Sequence, residues 1–529
     1  MLGISSGLIL ALIIIASFLI IFTILQKLGV LEPFGLELSG PFLMWKTQKG
    51  RKFIDGTAHK RKKFWKNYGT LGIIVVSICM VIIMILVIWS AILASQIPAE
   101  QAPSPEMVLG IPGVNPLIPI WYGIAGLAIA IIVHEFSHGI LARVADIDIK
   151  SLGLAFLVVP IGAFVEPDEH EMEKLSKIKR SRIYSVGPTT NVLLALVVIL
   201  IFSTLFMGSI SAKQDGVIIN NISRGSPLYN INVEGGEEIV NIGGINIRNI
   251  DDFRTVDIAP ARDVDVTVFD GTDERIHRVK SGLVVTGIGG NYPADEAGLE
   301  VGDILINIDE KEIRNHEDFF DYMDDTEAGR TYNITFYRED EGNLTSEITL
   351  ADKYEAYGEL FPSENREEFK GKGYAGISVN YLGVSVWNVD FLPNFLSSPF
   401  AGADNLGDYI QSGLTYISLP FLQLSPVPEN IANLYQVSGP LSVLPSSGFW
   451  IIANLLYWVF WLNLMVGLFN ALPAVPLDGG YIFKDGLRAL ADKLKMKEKN
   501  KKKFTSGISY TIAFLILFLL IWQLIGPRV

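Results

Sequence analysis

Apolar residues fall in six long runs separated by polar segments. Each run is long enough to cross a bilayer, because about 20 residues span the hydrocarbon core. The first run has no basic segment before it and no small-residue cleavage site, so we interpret it as a retained helix. The pattern predicts a polytopic α-helical membrane protein with about six transmembrane helices, at Ile4–Leu25, Leu71–Leu93, Leu117–Val133, Pro188–Phe206, Phe449–Phe469 and Ile508–Leu524.

Between the fourth and fifth runs the pattern changes to short β-branched stretches that alternate with polar residues, as in half-buried strands. This segment repeats itself without gaps at an offset of 66 residues. The agreement predicts two tandem α+β domains. In it, Gly216–Ile219 matches Gly282–Val285, Glu234–Ile242 matches Glu300–Ile308, and Ile247–Phe253 matches Ile313–Phe319.

The net charge of −13 divides unevenly along the chain. Residues 211–360 carry 13 basic and 32 acidic side chains, a balance of −19, which leaves +6 for the remainder. Basic residues cluster in 27–68, 174–182 and 493–503, and with six spans these three segments share one side of the membrane. The positive-inside rule makes that side cytoplasmic and places the acidic segment 211–447 outside. Basic runs next to transmembrane spans favour the lipid bilayer as their partner, and we do not expect nucleic acid to bind there.

The sequence His134-Glu135-Phe136-Ser137-His138 has the spacing of a metal-binding helix. Residues four apart share a helix face, so both imidazoles can bind one zinc ion. Glu135 lies one step round the helix, where it can take a proton from a zinc-bound water. Ionisable residues inside a membrane are usually functional. The alternatives are a hydrogen-bonded polar core and a structural metal site, of which the second has no use for the glutamate and needs four protein ligands.

A third ligand has to be a histidine or a carboxylate, because the only cysteine, Cys79, lies in an apolar run. Asp478 follows the fifth run, and the third and fifth runs both approach the cytoplasmic side at their ends. His134, His138 and Asp478 would leave one zinc position open, as catalytic sites require. Asp478 taken alone is equally compatible with a helix cap or turn before residues 481–490.

These motifs resemble the site-2 protease family of intramembrane zinc metalloproteases. H-E-x-x-H in one span is followed by N-x-x-P-x-x-P-L-D-G-G after a later one, and the likeness covers most of 117–215 and 449–490. The resemblance implies bound Zn²⁺ with ligands His134, His138 and Asp478, and Glu135 as the general base of peptide-bond hydrolysis. Further matching stretches are His138-Gly139, Gly187-Pro-Thr-Thr-Asn191 and Pro160-Ile-Gly-Ala-Phe-Val165.

The same resemblance implies where a substrate binds. Asn191 and Asn470 are expected near the site, where they would orient the substrate backbone or the oxyanion. Gly162, Ala163 and Phe164 lie on a re-entrant β-hairpin that pairs with an unwound substrate in that family. The expected substrates are single-pass membrane proteins, either membrane-tethered regulators or signal-peptide remnants.

Tyr292–Ile308 resembles the helix-turn-strand core of PDZ domains of the bacterial protease type, and the first copy is a degenerate version. Such domains bind extended peptides at a sheet edge, although a rigid spacer fits the same sequence. A pair outside the membrane is expected to exclude substrates whose ectodomain is untrimmed. The apolar stretches Val384–Phe400 and Tyr416–Leu424 are expected to form amphipathic surface helices.

The predicted fold is therefore a multi-pass cell-membrane protein with an inserted extracytoplasmic tandem PDZ region. Its expected segments are two N-terminal helices with a basic loop, the first half of the catalytic core, PDZ-like domains 1 and 2, a linker, and the second half of the core with a final helix. In the order just given, these six segments are predicted at 1–115, 116–214, 215–281, 282–352, 353–447 and 448–529.

Three other functions fit parts of the sequence. A membrane-anchored zincin acting at the cytoplasmic face would use a Glu as third ligand, which Asp478 within Leu-Asp-Gly-Gly disfavours. A catalytically inactive PDZ-bearing scaffold would have no use for Glu135. A zinc transporter would need several polar groups along a path, and only one cluster is visible. The favoured function is an intramembrane zinc metalloendopeptidase.

Overall fold

The computed structural model describes residues 6–528 except 100, 101, 103, 109, 111, 230, 361–366 and 426. The chain divides into two compact units. The membrane unit comprises Met1–Phe202 and Ile452–Val529, and the repeat unit comprises Ser203–Ile451.

The first part of the membrane unit contains the H-E-x-x-H helix, a β-sheet and three further long helices. Its elements are α1 Ser6–Lys27, β1 Leu36–Ser39, β2 Phe42–Thr47, α2 Arg51–Lys60, α3 Lys62–Ala94, α4 Pro105–Val108, α5 Ile120–Val144, β3 Ile149–Leu157, β4 Val159–Pro167, α6 Glu169–Lys174 and α7 Lys177–Leu200.

The repeat unit is built mainly of antiparallel strands. Its elements are β5 Ile210–Ala212, β6 Val217–Ile222, β7 Glu238–Ile242, β8 Ile245–Asn246, α8 Ile250–Arg254, β9 Asp263–Phe269, β10 Glu274–Lys280, β11 Leu283–Ile288, α9 Pro293–Glu296, β12 Ile304–Ile308, β13 Lys311–Glu312, α10 His316–Asp324, β14 Thr331–Arg338, β15 Gly342–Thr349, β16 Ala351–Asp352, α11 Lys353–Leu360, β17 Gly373–Tyr374, β18 Ile377–Tyr381, β19 Val384–Asn388, α12 Phe391–Ser397, α13 Leu406–Ile417, α14 Glu429–Ala432 and β20 Tyr435–Val437.

The chain then forms α15 Ser446–Asn470, α16 Asp478–Lys493 and α17 Glu498–Ile525. Within the described residues, five helices are long and apolar enough to cross a membrane, and they coincide with five of the six predicted spans. The remaining prediction, Ile4–Leu25, begins in residues outside the description, and the helix there is α1. The polytopic membrane architecture is confirmed, while the count of six spans stays a prediction. The five helices are Lys62–Ala94, Ile120–Val144, Lys177–Ser209, Ser446–Asn470 and Glu498–Arg528.

Small residues allow α3 to pack closely against α7. Ser185 Oγ donates to the Gly69 carbonyl over 3.2 Å, and Thr189 Oγ1 donates to the Gly72 carbonyl over 3.3 Å. A Cβ at Gly72 would lie 2.9 Å from Ser185 Oγ, so the contact depends on glycine. Such small-residue contacts are a common means of helix association in membranes. The second predicted span therefore packs directly on α7.

The membrane unit contains a four-stranded antiparallel sheet in the order β1-β2-β3-β4. β3 and β4 form the predicted hairpin, with Gly153 opposite Phe164 and Leu154 opposite Ala163. β2 pairs with the other edge of β3, where Trp45 lies opposite Leu154. The basic segment 27–68 therefore extends this sheet. No strand in the described part of the chain pairs with the outer edge of β4, here called its free edge.

The repeat unit confirms the duplication seen in the sequence. β7 and β12, and likewise β6 and β11, coincide at the offset of 66 residues. The two main sheets have the equivalent orders β10-β9-β7-β6-β19 and β15-β14-β12-β11-β18. Each also has a bulge at the equivalent place, after Ile239 in one and after Leu305 in the other.

The last strand of each sheet comes from the segment predicted as a linker. β18 pairs with β11 of the second copy, and the next strand, β19, returns to pair with β6 of the first copy. The contacts are equivalent: Gly289 N–H donates to the Gly376 carbonyl, and Ser223 N–H donates to the Gly383 carbonyl. The second copy is thus inserted within the first. Val384–Phe400 begins as a strand, because its β-branched residues alternate with polar ones, and only Phe391–Ser397 within it is helical. The predicted helix Tyr416–Leu424 is wrong, because α13 ends at Ile417.

Glu238 is a fully buried carboxyl group in the first copy. Neither of its oxygens has a hydrogen-bond partner in the described part of the chain. Burial, together with the charges of Asp215 and Asp390, raises the pKa of Glu238 from 4.5 to about 8. A buried carboxyl group without partners is kept neutral in this way.

Candidate metal centre

Three donor atoms from two helices that are far apart in sequence meet at one point. His134 and His138 lie on one face of α5, as their spacing predicts, and Asp478 is the first residue of α16. Asp478 Oδ2 lies 3.0 Å from His134 Nε2 and 3.2 Å from His138 Nε2, and the two nitrogens are 3.1 Å apart. Within the described residues, no other three His, Cys, Asp or Glu side chains converge in this way.

These distances fit zinc. Ligand atoms about 2.0–2.1 Å from one zinc ion lie roughly 3.3 Å apart in a tetrahedron. The observed separations of 3.0–3.2 Å agree with that spacing. Two imidazoles and one carboxylate are also the donor set of catalytic zinc sites, with the fourth position left for water or substrate. The structure therefore brings together all three of the predicted ligands.

Hydrogen bonds on the far side of each imidazole fix its orientation. His138 Nδ1 lies 2.7 Å from the Ile183 carbonyl, which requires an Nδ1–H and leaves Nε2 free to bind metal. The Asn191 amide nitrogen lies 3.3 Å from His134 Nδ1, while the amide oxygen has no partner among the residues that the structure describes. Because amide orientation is assigned from the hydrogen-bond network, the oxygen of Asn191 is better placed towards the Nδ1–H of His134.

Asn191 and Asn470 are therefore in different surroundings. Asn191 is fully buried behind His134, so its observed contact is with a predicted metal ligand. The amide of Asn470 donates to the Val466 carbonyl of its own helix over 3.0 Å. The expected contacts of both residues with substrate stay predictions.

Gly187 of α7 lies directly against the two histidines. A Cβ atom at this position would lie 2.8 Å from His134 Nε2 and would overlap His138 Nε2. A glycine in the interior of a helix usually destabilises it. Here the absence of a side chain leaves room for the metal-binding nitrogens.

Glu135 faces the free edge of the sheet. The backbone N–H of Val165 on β4 donates to Glu135 Oε2 over 3.1 Å. Ser137, the small residue between the ligands, donates to Thr190 Oγ1 over 2.8 Å, and Tyr68 contacts the same hydroxyl at 3.1 Å. The non-ligand residues of the motif thus connect α5 to β4, α7 and α3.

A row of side-chain contacts fixes α16, and with it Asp478, against α7. Arg180 Nε donates to Asp485 Oδ2 over 2.9 Å, and Asp485 is almost completely buried. One turn nearer the metal site, Tyr184 stacks on Tyr481 with ring centroids 4.7 Å apart. Sequence reasoning missed this pairing. An Asp seven residues after Asp478 on the same helix face was the available signal.

The helix α2 also contacts the metal-binding helix. The Phe53 ring lies 6.2 Å from the Phe136 ring, and a Cβ at Gly139 would lie 3.0 Å from Ile54 Cδ1. Arg143 Nε donates to Asp55 Oδ1 over 2.5 Å. The sequence analysis did not foresee these contacts, although Ile54 and Ala58, four apart among polar residues, are typical of an amphipathic helix.

Comparison with known proteins identifies the family. Residues 122–520 match the model of peptidase family M50. The chain belongs to peptidase family M50. It is 30% identical over 219 residues to an uncharacterized protein of Methanocaldococcus jannaschii, a match that covers 41% of this chain and 55% of that one.

Two longer matches are to proteases. The chain is 23% identical over 426 residues to protease RseP of Yersinia pestis, and 23% identical over 423 residues to a putative zinc metalloprotease of Vibrio cholerae. Each match covers 68% of this chain and 88% of the relative. This M50 peptidase is a zinc metalloprotease of the site-2 type, and the cluster of His134, His138 and Asp478 fits its metal.

Proposed function

We propose that this M50 peptidase hydrolyses peptide bonds of single-pass membrane proteins within the bilayer, with Glu135 as general base. The hydrogen bond from Val165 N–H to Glu135 carries the proposal, because it puts a free strand edge next to the proton-transferring carboxylate. An extended substrate that pairs with that edge has its backbone beside the metal centre.

The register of β4 defines where such a strand pairs. The Val165 N–H points to Glu135 and away from β3, and residues two apart in a strand present their backbone groups to the same edge. Ala163 therefore offers its N–H and carbonyl to an incoming strand, while Gly162 and Phe164 bond to β3. A helical substrate must unwind to make these bonds, since its own backbone groups are already paired.

When bound, zinc lowers the pKa of a coordinated water towards 7 and polarises the scissile carbonyl. Glu135 accepts the proton of the attacking water on a carboxylate oxygen and then delivers it to the leaving amine nitrogen. Asn191 and the Ile183 carbonyl hold the imidazoles in the tautomer in which both Nε2 atoms can bind metal. Ala163 and Val165 align the substrate strand.

The topology proposed with this activity places segments 27–68, 174–182 and 493–503 in the cytoplasm and the repeat unit outside. The basic segments and the acidic composition of 211–360 support it. The repeat pair is then a PDZ-like filter against substrates with untrimmed ectodomains, and the proposed substrates are membrane-tethered regulators and signal-peptide remnants.

Cleavage of single-pass reporters in liposomes tests the activity. Wild type is compared with Glu135→Gln, and with Glu173→Gln as a control at an exposed carboxylate of α6. We expect wild type and the control to cleave and Glu135→Gln to lose cleavage while it retains zinc. If neither wild type nor the control cleaves any trimmed reporter although zinc is bound, the inactive scaffold is the better description.

A test of the proposed filter requires a deletion that leaves no strand without its partner. Removing 216–352 alone would leave β18 and β19 without partners, so the deletion has to span 216–388. We expect this variant to cleave full-length and trimmed reporters at similar rates. A variant that cleaves trimmed reporters and still rejects full-length ones would refute the filter.

A further inference from the structure

A set of unpaired basic side chains surrounds α2. Six of them, here called the basic face of α2, are all exposed, and none forms an ion pair with any described residue. The neighbouring basic residues Arg51 and Lys62 are instead paired with Asp148 and Asp146. The basic face comprises Lys49, Lys52, Lys60, Arg61, Lys63 and Lys66.

Aromatic rings lie among these charges. Phe53 is 63% exposed and Phe64 is 53% exposed, and each adjoins a lysine of the basic face. α3, a candidate membrane span, begins at Lys62, directly after α2. Basic side chains interleaved with exposed aromatic rings next to a span match the polar–apolar boundary of a bilayer. The complementary partner is the phosphate of an anionic lipid headgroup.

The opposite face of α2 packs on the metal-binding helix. Ile54 is fully buried against Gly139, the residue after His138. Phe136, which lies between the ligands, contacts Gly50 and Phe53 at the start of α2. One short helix therefore has a charged surface on one side and the H-E-x-x-H motif on the other.

We propose that the basic face of α2 binds the headgroups of anionic lipids, and that this binding holds α2 against α5. Lipid composition then regulates the metal centre, a regulatory step that rests on the proposed function. Each lysine or arginine near an anionic surface strengthens attachment roughly fivefold. Neutral lipid supplies no such attraction, and α2 then separates from α5 more often.

Hydrogen exchange of the full-length protein in nanodiscs tests the binding without any cleavage assay. Nanodiscs of phosphatidylcholine alone are compared with nanodiscs that contain about 30 mol% phosphatidylglycerol. We expect exchange in 51–60 and 134–143 to slow roughly fivefold or more with the anionic lipid, and zinc release to a chelator to slow with it. High salt should remove the difference in wild type.

Three variants and one soluble probe separate lipid binding from other effects. Lys52→Gln, Lys60→Gln and Lys63→Gln together should abolish the response, whereas arginine at the same positions should preserve it. Lys499→Gln, Lys502→Gln and Lys503→Gln, which remove the same charge from the start of α17, should respond like wild type. Glycerol phosphate added to neutral nanodiscs should have no effect if the headgroup must be presented by a membrane.

Equal exchange of wild type in both lipids would overturn the proposal, as would an equal response of the two glutamine variants. Protection by soluble phosphate or by an oligonucleotide would assign the surface to a different ligand and also overturn it. Reporter cleavage is measured in parallel. If nothing is cleaved in either lipid, the proposed function fails, while the exchange data still decide the lipid proposal.

Discussion

Gly187 lies so close to His134 that a Cβ atom on the glycine would be 2.8 Å from the metal-binding Nε2. This contact predicts that Gly187→Ala lowers zinc affinity by roughly 10–100-fold, the range seen when groups around metal ligands are disturbed. Zinc competition with a chelator measures the change. Gly486→Ala is a matched control, because a Cβ at that exposed position of α16 meets nothing. Equal zinc affinity in the two variants would contradict the steric explanation.

The buried ion pair between α7 and α16 predicts a second effect on the metal site. Asp485→Ala leaves Arg180 without its buried partner, which we expect to destabilise the protein by on the order of 3–5 kcal/mol and to weaken zinc binding. Asp492→Ala removes the carboxylate that pairs with Lys177 on the exposed ends of the same helices, where the loss of an ion pair has little effect on stability. Thermal unfolding with and without zinc compares them, and similar losses would refute the role of Asp485.

Glu238 predicts a pH dependence of the repeat unit. Its pKa is raised to about 8, so the folded state keeps a proton that the unfolded chain releases above about pH 4.5. The contribution to stability is complete below pH 4.5 and is lost as the pH rises to about 8. Glu238→Gln should remove this dependence and stabilise the protein at pH 8 by on the order of a few kcal/mol.

Hydrogen exchange of β7 at pH 5 and pH 8, corrected for intrinsic exchange rates, measures the effect of Glu238→Gln. The exposed Glu347 on β15 provides the control substitution Glu347→Gln, for which we expect the wild-type pH dependence. A Glu238→Gln variant with unchanged pH dependence would show that other groups control it.

The pairing of β19 with β6 predicts that a change near β19 destabilises a strand far away in the sequence. Gly383 has φ of +71°, and a Cβ at this residue would overlap the Cβ of Ser226. Gly383→Ala should therefore loosen β19 and raise hydrogen exchange in β6. Gly371→Ala is the control, because Gly371 has φ of +78° but no atom near its Cβ position. An equal rise in β6 for both variants would contradict the prediction.

Local spacing was enough to predict part of the site. His134 and His138 share a face of α5 because the period of an α-helix is fixed, and Glu135 follows from the same geometry. Asp478 needed more than its own surroundings, which do not distinguish a ligand from a helix cap. The matching depth of the third and fifth runs suggested it, and the resemblance to a family implied it. The hydrogen bond from the Val165 N–H to Glu135 depends on how β4 is placed against α5, and no local pattern in the sequence specifies that placement.

The pairing of strands that are far apart in the sequence is the second feature that the sequence analysis did not predict. β2 pairs with β3 across about a hundred residues, and β19 pairs with β6 across a longer separation. The sequence did carry a signal for the second pairing. Tyr374-Ala-Gly-Ile377 recurs as Tyr381-Leu-Gly-Val384, and the two glycines pack on Tyr292 and Ser226, which are equivalent in the repeat. A comparison of this segment with itself at an offset of a few residues would have predicted β18 and β19 as two equivalent strands.

The insertion of one copy within the other affects the order in which the chain becomes folded during synthesis. The first copy emerges from the ribosome before the second, but its sheet remains incomplete until β19 has been made, about a hundred residues after β10. The second copy receives β18 just before that. The copy that is translated first is therefore the last to close, and until then β6 lacks the strand that completes its sheet, which leaves its edge open to wrong pairing.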